Sequence, residues 1–271
     1  MIAALHPSAL LRQPVIRLTP FRSLTTLWLA GLLSVSALSA RADEIYRVLT
    51  WKMAPYAMVD EQGKLTGFEV EIARALCDTM GIRCEITALQ FPEVLDLLDR
   101  NAADFAVASI LKTPERTKKY LFTDRHKRSS SSYIGRAGEW TVGMAPDLAG
   151  KRISVTRGSK QYDYLTARNI GGTVVIYDDQ ADALRAVLDG RVDLALAPTA
   201  VTVHLLTSAE GEALEVVGDP LTESGLGGES AIALPLGREE LRDRVNMALR
   251  AILADGRYDA ISSRFLPFRM Y

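Results

Sequence analysis

The alternation of strand-like and helix-like segments is the feature that most constrains how this chain can fold. Strand-like segments at 46–51, 84–89 and 104–109 are separated by apolar residues at helical spacing in 69–80 and 91–100. The last of these strands is mostly apolar, which is typical of strands buried inside parallel sheets. The sequence therefore predicts an α/β fold in which mostly parallel sheets are flanked by helices.

The same order of elements recurs further along the chain. Strand-like segments at 152–156, 173–177 and 193–197 are separated by helix-like segments at 158–168 and 180–188. The two halves also contain similar sequences: LLDRNAADFAVA in the first resembles VLDGRVDLALA in the second. The repeated order predicts two α/β lobes of similar design.

Two stretches suited to a hinge connect these halves. Residues 129–135 are serine-rich and residues 224–229 are glycine-rich. Two crossings predict a split first lobe, formed by residues 43–133 plus 229–271, with residues 134–228 inserted as the second lobe. Ligands bind at the carboxyl ends of strands in such sheets, so we expect a site in the cleft between the lobes.

The first 42 residues have the features of an export signal. They contain four arginines and no acidic residue. A basic stretch that ends at Arg22 precedes a mostly apolar run at 24–39, and Ala-Arg-Ala at 40–42 fits the A-x-A cleavage pattern. The apolar run is shorter than the roughly 20 residues that a membrane-spanning helix needs. We therefore predict a cleaved signal peptide over residues 1–42 and export; an uncleaved anchor is the alternative.

Charge and cysteine content narrow the possible partners. Without the four leader arginines, 28 basic residues face 33 acidic ones, and this balance disfavours nucleic acid as a partner. An even number of cysteines in an exported chain favours a disulfide between Cys77 and Cys84. Zinc is the alternative, but this spacing and two distant histidines, His126 and His204, suit it poorly. We predict no metal and no cofactor.

Two motifs carry a resemblance to a known family. Residues 67–80 read GFEVEIARALCDTM and residues 255–259 read DGRYD. Both resemble the bacterial extracellular solute-binding proteins of the polar amino-acid type, family 3. The resemblance implies a two-lobe, type II periplasmic-binding-protein fold and a disulfide between Cys77 and Cys84, as in several members. It also implies a monomer that binds a small solute and delivers it to an inner-membrane ABC permease.

The resemblance also implies individual ligand-binding residues. Arg116 matches the arginine that holds a ligand carboxylate, a role that suits a planar and permanently charged guanidinium; a surface salt bridge is the alternative. Ser159 and Lys160 match a loop at a helix start that favours an anionic group, although an ordinary N-cap serine beside an exposed lysine would look the same. The full predicted set is Trp51, Met53, Tyr56, Phe91, Ser109, Leu111, Arg116, Ser159, Lys160 and Gln161.

Four departures from the family pattern bear on the ligand. Pro198 stands where many members have an aspartate that neutralises the ligand ammonium, and Leu111 replaces a frequent Ser or Thr donor. Lys52 lies near the place of an acid in binders of cationic ligands. Residues 124–128 (DRHKR) replace an aromatic-rich stretch, and we expect them to form a solvated face, with a partner-docking patch as the alternative. Together these changes favour a carboxylate ligand without an ammonium in the usual place and disfavour lysine, arginine and histidine.

The leading hypothesis is a non-enzymatic, periplasmic binding component of an uptake system. An enzyme of the cyclohexadienyl-dehydratase type on the same scaffold is an alternative, but Pro198 offers no proton donor, and we assign no catalytic residue. A soluble sensory lobe that presents its ligand to a receptor is the other alternative.

Overall fold

The computed structural model describes residues 44–141, 143–266 and 271. The predicted signal peptide, residues 1–42, lies outside them. The described chain contains two five-stranded sheets with helices packed on them and one short two-stranded sheet. None of the helices within this part of the chain is long and apolar enough to cross a bilayer.

The first sheet has the strand order β4-β1-β5-β12-β6. Strands β4 and β5 pair in parallel with β1, whereas β12 runs antiparallel to both β5 and β6. Its strands are β1 (Ile45–Trp51), β4 (Arg83–Leu89), β5 (Phe105–Val107), β6 (Tyr120–Ser129) and β12 (Gly228–Pro235). The short sheet beside it pairs β2 (Met58–Val59) with β3 (Leu65–Thr66).

The second sheet has the strand order β11-β7-β10-β8-β9. Strands β9 and β10 pair in parallel with β8, while β7 runs antiparallel to β10 and β11. Its strands are β7 (Ser131–Arg136), β8 (Arg152–Thr156), β9 (Thr173–Tyr177), β10 (Leu194–Pro198) and β11 (Leu214–Leu221).

The chain passes between the two sheets twice. The first passage is at Ser130, between the end of β6 and the start of β7, and the second follows Leu221 and ends at Gly228. The first passage therefore precedes the predicted boundary between residues 133 and 134. The reason is that Ser131 and Ser132 already pair with β10 of the second sheet, opposite Pro198 and Ala197.

Helices cover both sheets through their apolar faces. In α1, apolar residues at helical spacing are buried, and Gly81 ends the helix in the left-handed conformation at φ 64°, as the sequence predicts. In the described chain the helices are α1 (Phe68–Met80), α2 (Phe91–Asp99), α3 (Lys160–Thr166), α4 (Gln180–Leu188), α5 (Thr199–Leu206), α6 (Glu239–Ala254) and α7 (Arg257–Phe265), with 3-10 turns at Arg116–Lys118 and Ala209–Ala213.

The expectation that residues 124–128 form a solvated face is wrong for two of them. His126 and Lys127 are wholly buried in β6. Strand β12 pairs Ser230 with Lys127 and then Ala231 with Arg125, so the ladder shifts register around His126. A bulge of this kind breaks the alternation of side chains between the two faces. Consecutive side chains, His126 and Lys127, therefore both lie in the interior.

The predicted disulfide is confirmed: Cys77 near the end of α1 is bonded to Cys84 in β4. The bridge closes a loop with a sequence separation of 7. We expect the Cys77→Ser/Cys84→Ser double variant to lose about 2–3 kcal/mol of unfolding free energy, because the unfolded chain regains the entropy of the open loop. Urea denaturation would measure this, with the wild-type protein under reductant as the matched control. Equal midpoints for all three samples would contradict the expectation.

Candidate functional site

A cavity lies between the two sheets, at the carboxyl ends of their central strands. Strand ends of this kind are where α/β sheets bind small ligands. The first sheet and its connections contribute Trp51, Tyr56, Phe91, Ser109, Leu111, Arg116 and Ser129, and the rest of the wall is Ser130, Thr156, Ser159, Lys160, Gln161, Gln180, Pro198 and Leu226.

Two hydrogen bonds join the lobes across this cavity and its rim. Arg116 donates from Nη2 to the carbonyl of Gly158 over 3.2 Å. Gln90, which precedes α2, donates from Nε2 to Oδ2 of Asp179, the N-cap of α4, over 2.5 Å. Each contact joins a loop of the first lobe to a loop of the second, so the cavity lies between loops that are held together.

Arg116 is the central charged group of the cavity. Its second terminal nitrogen, Nη1, donates to the carbonyl of Leu111 over 3.3 Å, so both contacts of the guanidinium are to neutral main-chain oxygens. Burial lowers the pKa of Arg116 from its ordinary value, yet guanidinium groups stay protonated in proteins. Among the described residues no carboxylate forms an ion pair with it. The cavity therefore contains a fixed cation that is available to an anionic ligand.

Aromatic rings form one wall of the cavity. The ring centroids of Trp51 lie 5.7 Å from Tyr56 and 5.6 Å from Phe91, and all three side chains are buried. The guanidinium carbon of Arg116 lies 5.7 Å from the Phe91 centroid, which orients the cation against this wall. The indole Nε1 of Trp51 is buried without a hydrogen-bond partner. The wall thus offers apolar contact area and one free donor.

The second lobe contributes the start of α3. Ser159 is its N-cap, because its Oγ accepts from the amide of Tyr162 over 3.0 Å. Lys160 lines the cavity with a side chain that is only 14% exposed, and its Nζ lies 2.9 Å from Asp163 and 3.8 Å from Glu115. Gln161 donates from Nε2 to Ser131 over 2.8 Å. Ser159 is thus an N-cap that also lines the cavity, whereas Lys160 is a paired, mostly buried cation.

Ser109 connects the cavity to a buried polar cluster formed by Glu69, His126 and Lys127. The backbone of Ser109 has φ 53°, and its Oγ donates to Oε1 of Glu69 over 2.5 Å. The same oxygen lies 3.8 Å from Nζ of Lys127 and 3.7 Å from Nε2 of His126. Burial lowers the pKa of His126, which favours its neutral form.

Lys127 also contacts the cavity wall from behind. Its Nζ lies 3.8 Å from the ring centroid of Tyr56, whose side chain lines the cavity. Two lining residues, Tyr56 and Ser109, therefore rest directly on the buried polar cluster.

The structure brings together nine of the ten residues predicted to bind ligand. Met53 is the exception: it does not line the cavity, and its side chain packs against the core of the first lobe. Lys52 is exposed and also does not line it. In residues 44–141, 143–266 and 271, no group of three or more His, Cys, Asp or Glu side chains is arranged to hold a metal ion.

Sequence analysis missed five lining residues: Ser129, Ser130, Thr156, Gln180 and Leu226. Thr156 ends β8 and donates from Oγ1 to Oε1 of Gln180 over 2.8 Å, which leaves Nε2 of Gln180 buried without a partner. The position of Thr156 at a strand end was a usable signal, because such ends face the cleft. Gln180 carried no such signal, since it reaches the cavity from the first turn of a helix.

The chain is similar to one family of known proteins over most of its length. Residues 47–268 match the family described as bacterial extracellular solute-binding proteins, family 3. The ABC transporter arginine-binding protein 1 of Escherichia coli (strain K12) is 31% identical over 243 residues, which is 88% of this chain and 98% of that protein. The L-cystine-binding protein TcyJ of the same strain is 29% identical over 212 residues, 78% of each chain.

Solved structures show the same architecture. An ancestral arginine-binding protein bound to arginine superposes with a TM-score of 0.73 at 27% identity, covering 82% of this chain and 97% of that one. The predicted two-lobe α/β fold is thereby confirmed.

Proposed function

The chain belongs to the bacterial extracellular solute-binding proteins, family 3, and from that membership we propose the following function. The protein is the periplasmic binding component of an ABC uptake system. It captures a small carboxylate-bearing solute, an amino acid or a related organic acid, in the cavity between its lobes. Relatives named as arginine- and cystine-binding transport proteins support the amino-acid-like character of the ligand.

One observation carries this proposal: the unpaired guanidinium of Arg116 in the interlobe cavity. Among the residues that the structure describes, its nitrogens donate only to the main-chain carbonyls of Leu111 and Gly158, so it keeps further donors for a ligand. A carboxylate accepts two parallel N–H bonds from such a group and supplies the missing counter-charge. The aromatic wall beside it would cover the remainder of the ligand.

The remaining parts of the proposal come from the sequence. An export signal over residues 1–42 fits a protein that works in the periplasm and is released from its leader. The partner is an inner-membrane ABC permease, which receives the ligand from a monomeric binding protein. We assign the protein a binding role without catalysis.

A thermal-shift screen tests the binding function. Amino acids, 2-oxo acids, dicarboxylates and aromatic acids are the test compounds, and the amide of each acid is its matched control. An acid at 100 times its Kd should stabilise the protein by about 2.7 kcal/mol, or roughly 5–10 °C, whereas its amide should have little effect. If none of the acids raises the melting temperature at millimolar concentration, the proposed function is wrong.

A further inference from the structure

Three residues that line the cavity, Trp51, Arg116 and Gln180, carry side-chain nitrogens that can only donate hydrogen bonds. Trp51 and Gln180 both line the cavity, and their side-chain nitrogens Nε1 and Nε2 are buried without a hydrogen-bond partner. Each can donate but not accept. Arg116 adds a cation whose remaining N–H groups are also donors only. A ligand that satisfies all of these groups must present acceptor oxygens, because an unmet buried donor has a desolvation cost.

Acidic groups are missing from the same wall. Within residues 44–141, 143–266 and 271, no Asp or Glu side chain lines the cavity. Asp163 and Glu115 lie 2.9 and 3.8 Å from Nζ of Lys160, which lines the cavity, so both are paired with that cation. A ligand ammonium enclosed here would face two cations, Arg116 and Lys160, and no protein carboxylate would pair with it. Burying such an unpaired charge is unfavourable.

Glu69 lies directly behind the cavity wall, and its Oε1 is already engaged by other residues of the protein. It accepts a hydrogen bond from the Ser109 hydroxyl, which leaves the lone pairs of that hydroxyl for a ligand N–H. However, Lys127 lies 3.8 Å from the same carboxylate oxygen and offsets its charge. Ser109 is therefore a neutral acceptor that lacks the counter-charge an ammonium needs.

From these groups we propose a specific class of ligand, an inference that rests on the proposed binding function. The ligand is an organic acid that carries an acceptor oxygen where an α-amino acid carries its ammonium, as a 2-oxo acid does. Its carboxylate pairs with Arg116, and its other oxygens accept from Trp51 and Gln180. The chain would thus differ in ligand class from its arginine- and cystine-binding relatives.

Matched pairs of compounds test this directly, because each pair differs only at the α position. The pairs are pyruvate and L-alanine, 2-oxoglutarate and L-glutamate, phenylpyruvate and L-phenylalanine, and 5-guanidino-2-oxopentanoate and L-arginine. Calorimetric titration should show the oxo acid binding about 30-fold or more tightly than the amino acid in the pair that contains the strongest binder.

Substitution of Pro198 can introduce the carboxylate that the cavity wall lacks. It lines the cavity and is the N-cap of α5 at φ −57°, a position where Asp and Asn are both favourable. We expect Pro198→Asp to shift the affinity ratio at least about tenfold toward the amino acid. Pro198→Asn has the same shape and capping ability without the charge, so it should leave the ratio close to that of the wild type.

The outcomes separate this inference from the function on which it rests. Equal or tighter binding of the amino acid in the best pair would overturn the inference and leave the binding function standing. An equal shift in Pro198→Asp and Pro198→Asn would also count against it, since charge would not then be the determinant. If no member of any pair binds at millimolar concentration, the inference fails, whereas the binding function fails only if the thermal-shift screen also finds no ligand.

Discussion

Arg116→Ala should weaken ligand binding by roughly 30-fold to several thousand-fold. Removing one member of a buried charge pair typically has a cost of about 2–5 kcal/mol, because the ligand carboxylate is left without a partner. Arg116→Lys should also bind poorly, since an ammonium cannot replace two parallel N–H donors. Calorimetric titration against the strongest binder from the thermal-shift screen measures both effects.

A neighbouring arginine provides the matched control for this variant. Arg157 lies in the same loop as Gly158 but does not line the cavity, and it pairs with Asp178 on the surface. Arg157→Ala should leave the affinity within a few-fold of the wild type. If Arg116→Ala is folded and binds as tightly as Arg157→Ala, the carboxylate contact does not exist and most of the proposed site is wrong.

Glu69→Ala should lower the free energy of unfolding by about 3–5 kcal/mol. The side chains of Glu69 and Lys127 are both wholly inaccessible to solvent, with Nζ and Oε1 3.8 Å apart. Breaking a buried ion pair by removing one partner leaves the other charge uncompensated, and this residual charge causes the loss. Urea denaturation monitored by circular dichroism measures the change.

A double variant separates the charge effect from loss of packing. Glu69→Leu/Lys127→Met removes both charges and keeps apolar volume, so it should recover much of the stability lost in Glu69→Ala. Asp124→Ala is the control, because it breaks an exposed pair with Arg250 and should change stability by no more than about 1 kcal/mol. A loss of the same small size in Glu69→Ala would mean that Lys127 is not held there as a cation.

The order of elements was determined by the sequence because it depends on local periodicity. The strands at 152–156 and 173–177 and the helix at 180–188 have the bounds that the spacing of apolar residues predicts. Helix α1 ends at Gly81 because glycine adopts the left-handed conformation without steric penalty. The alternation of strands and helices favours parallel strands joined by crossover helices. In each sheet three strands pair in this way, and the other two strands add antiparallel pairs.

The sequence also anticipated much of the cavity wall. The resemblance pointed to motifs such as the segment around Ser109 and Arg116, and these follow strands whose ends meet at the cleft. Gln180 and Leu226 could not be anticipated, since each reaches the cavity through packing on the second lobe: Gln180 accepts from Thr156, and Leu226 is buried against apolar residues of the second sheet. The first passage between the sheets, at Ser130, depended on how β7 pairs with β10, which local sequence does not encode.

Only the tertiary structure determined which side chains of the charged segment 124–128 are buried. A series of charged residues predicts a solvated strand, because isolated charges are rarely buried. The register shift between β6 and β12 turns both His126 and Lys127 inward. There Oε1 of Glu69, from α1, lies within 4 Å of a nitrogen of each side chain. Strand register and helix placement are long-range properties. The sequence therefore determined the fold and the cation of the cavity, while packing determined that the neighbouring acid, Glu69, is already neutralised.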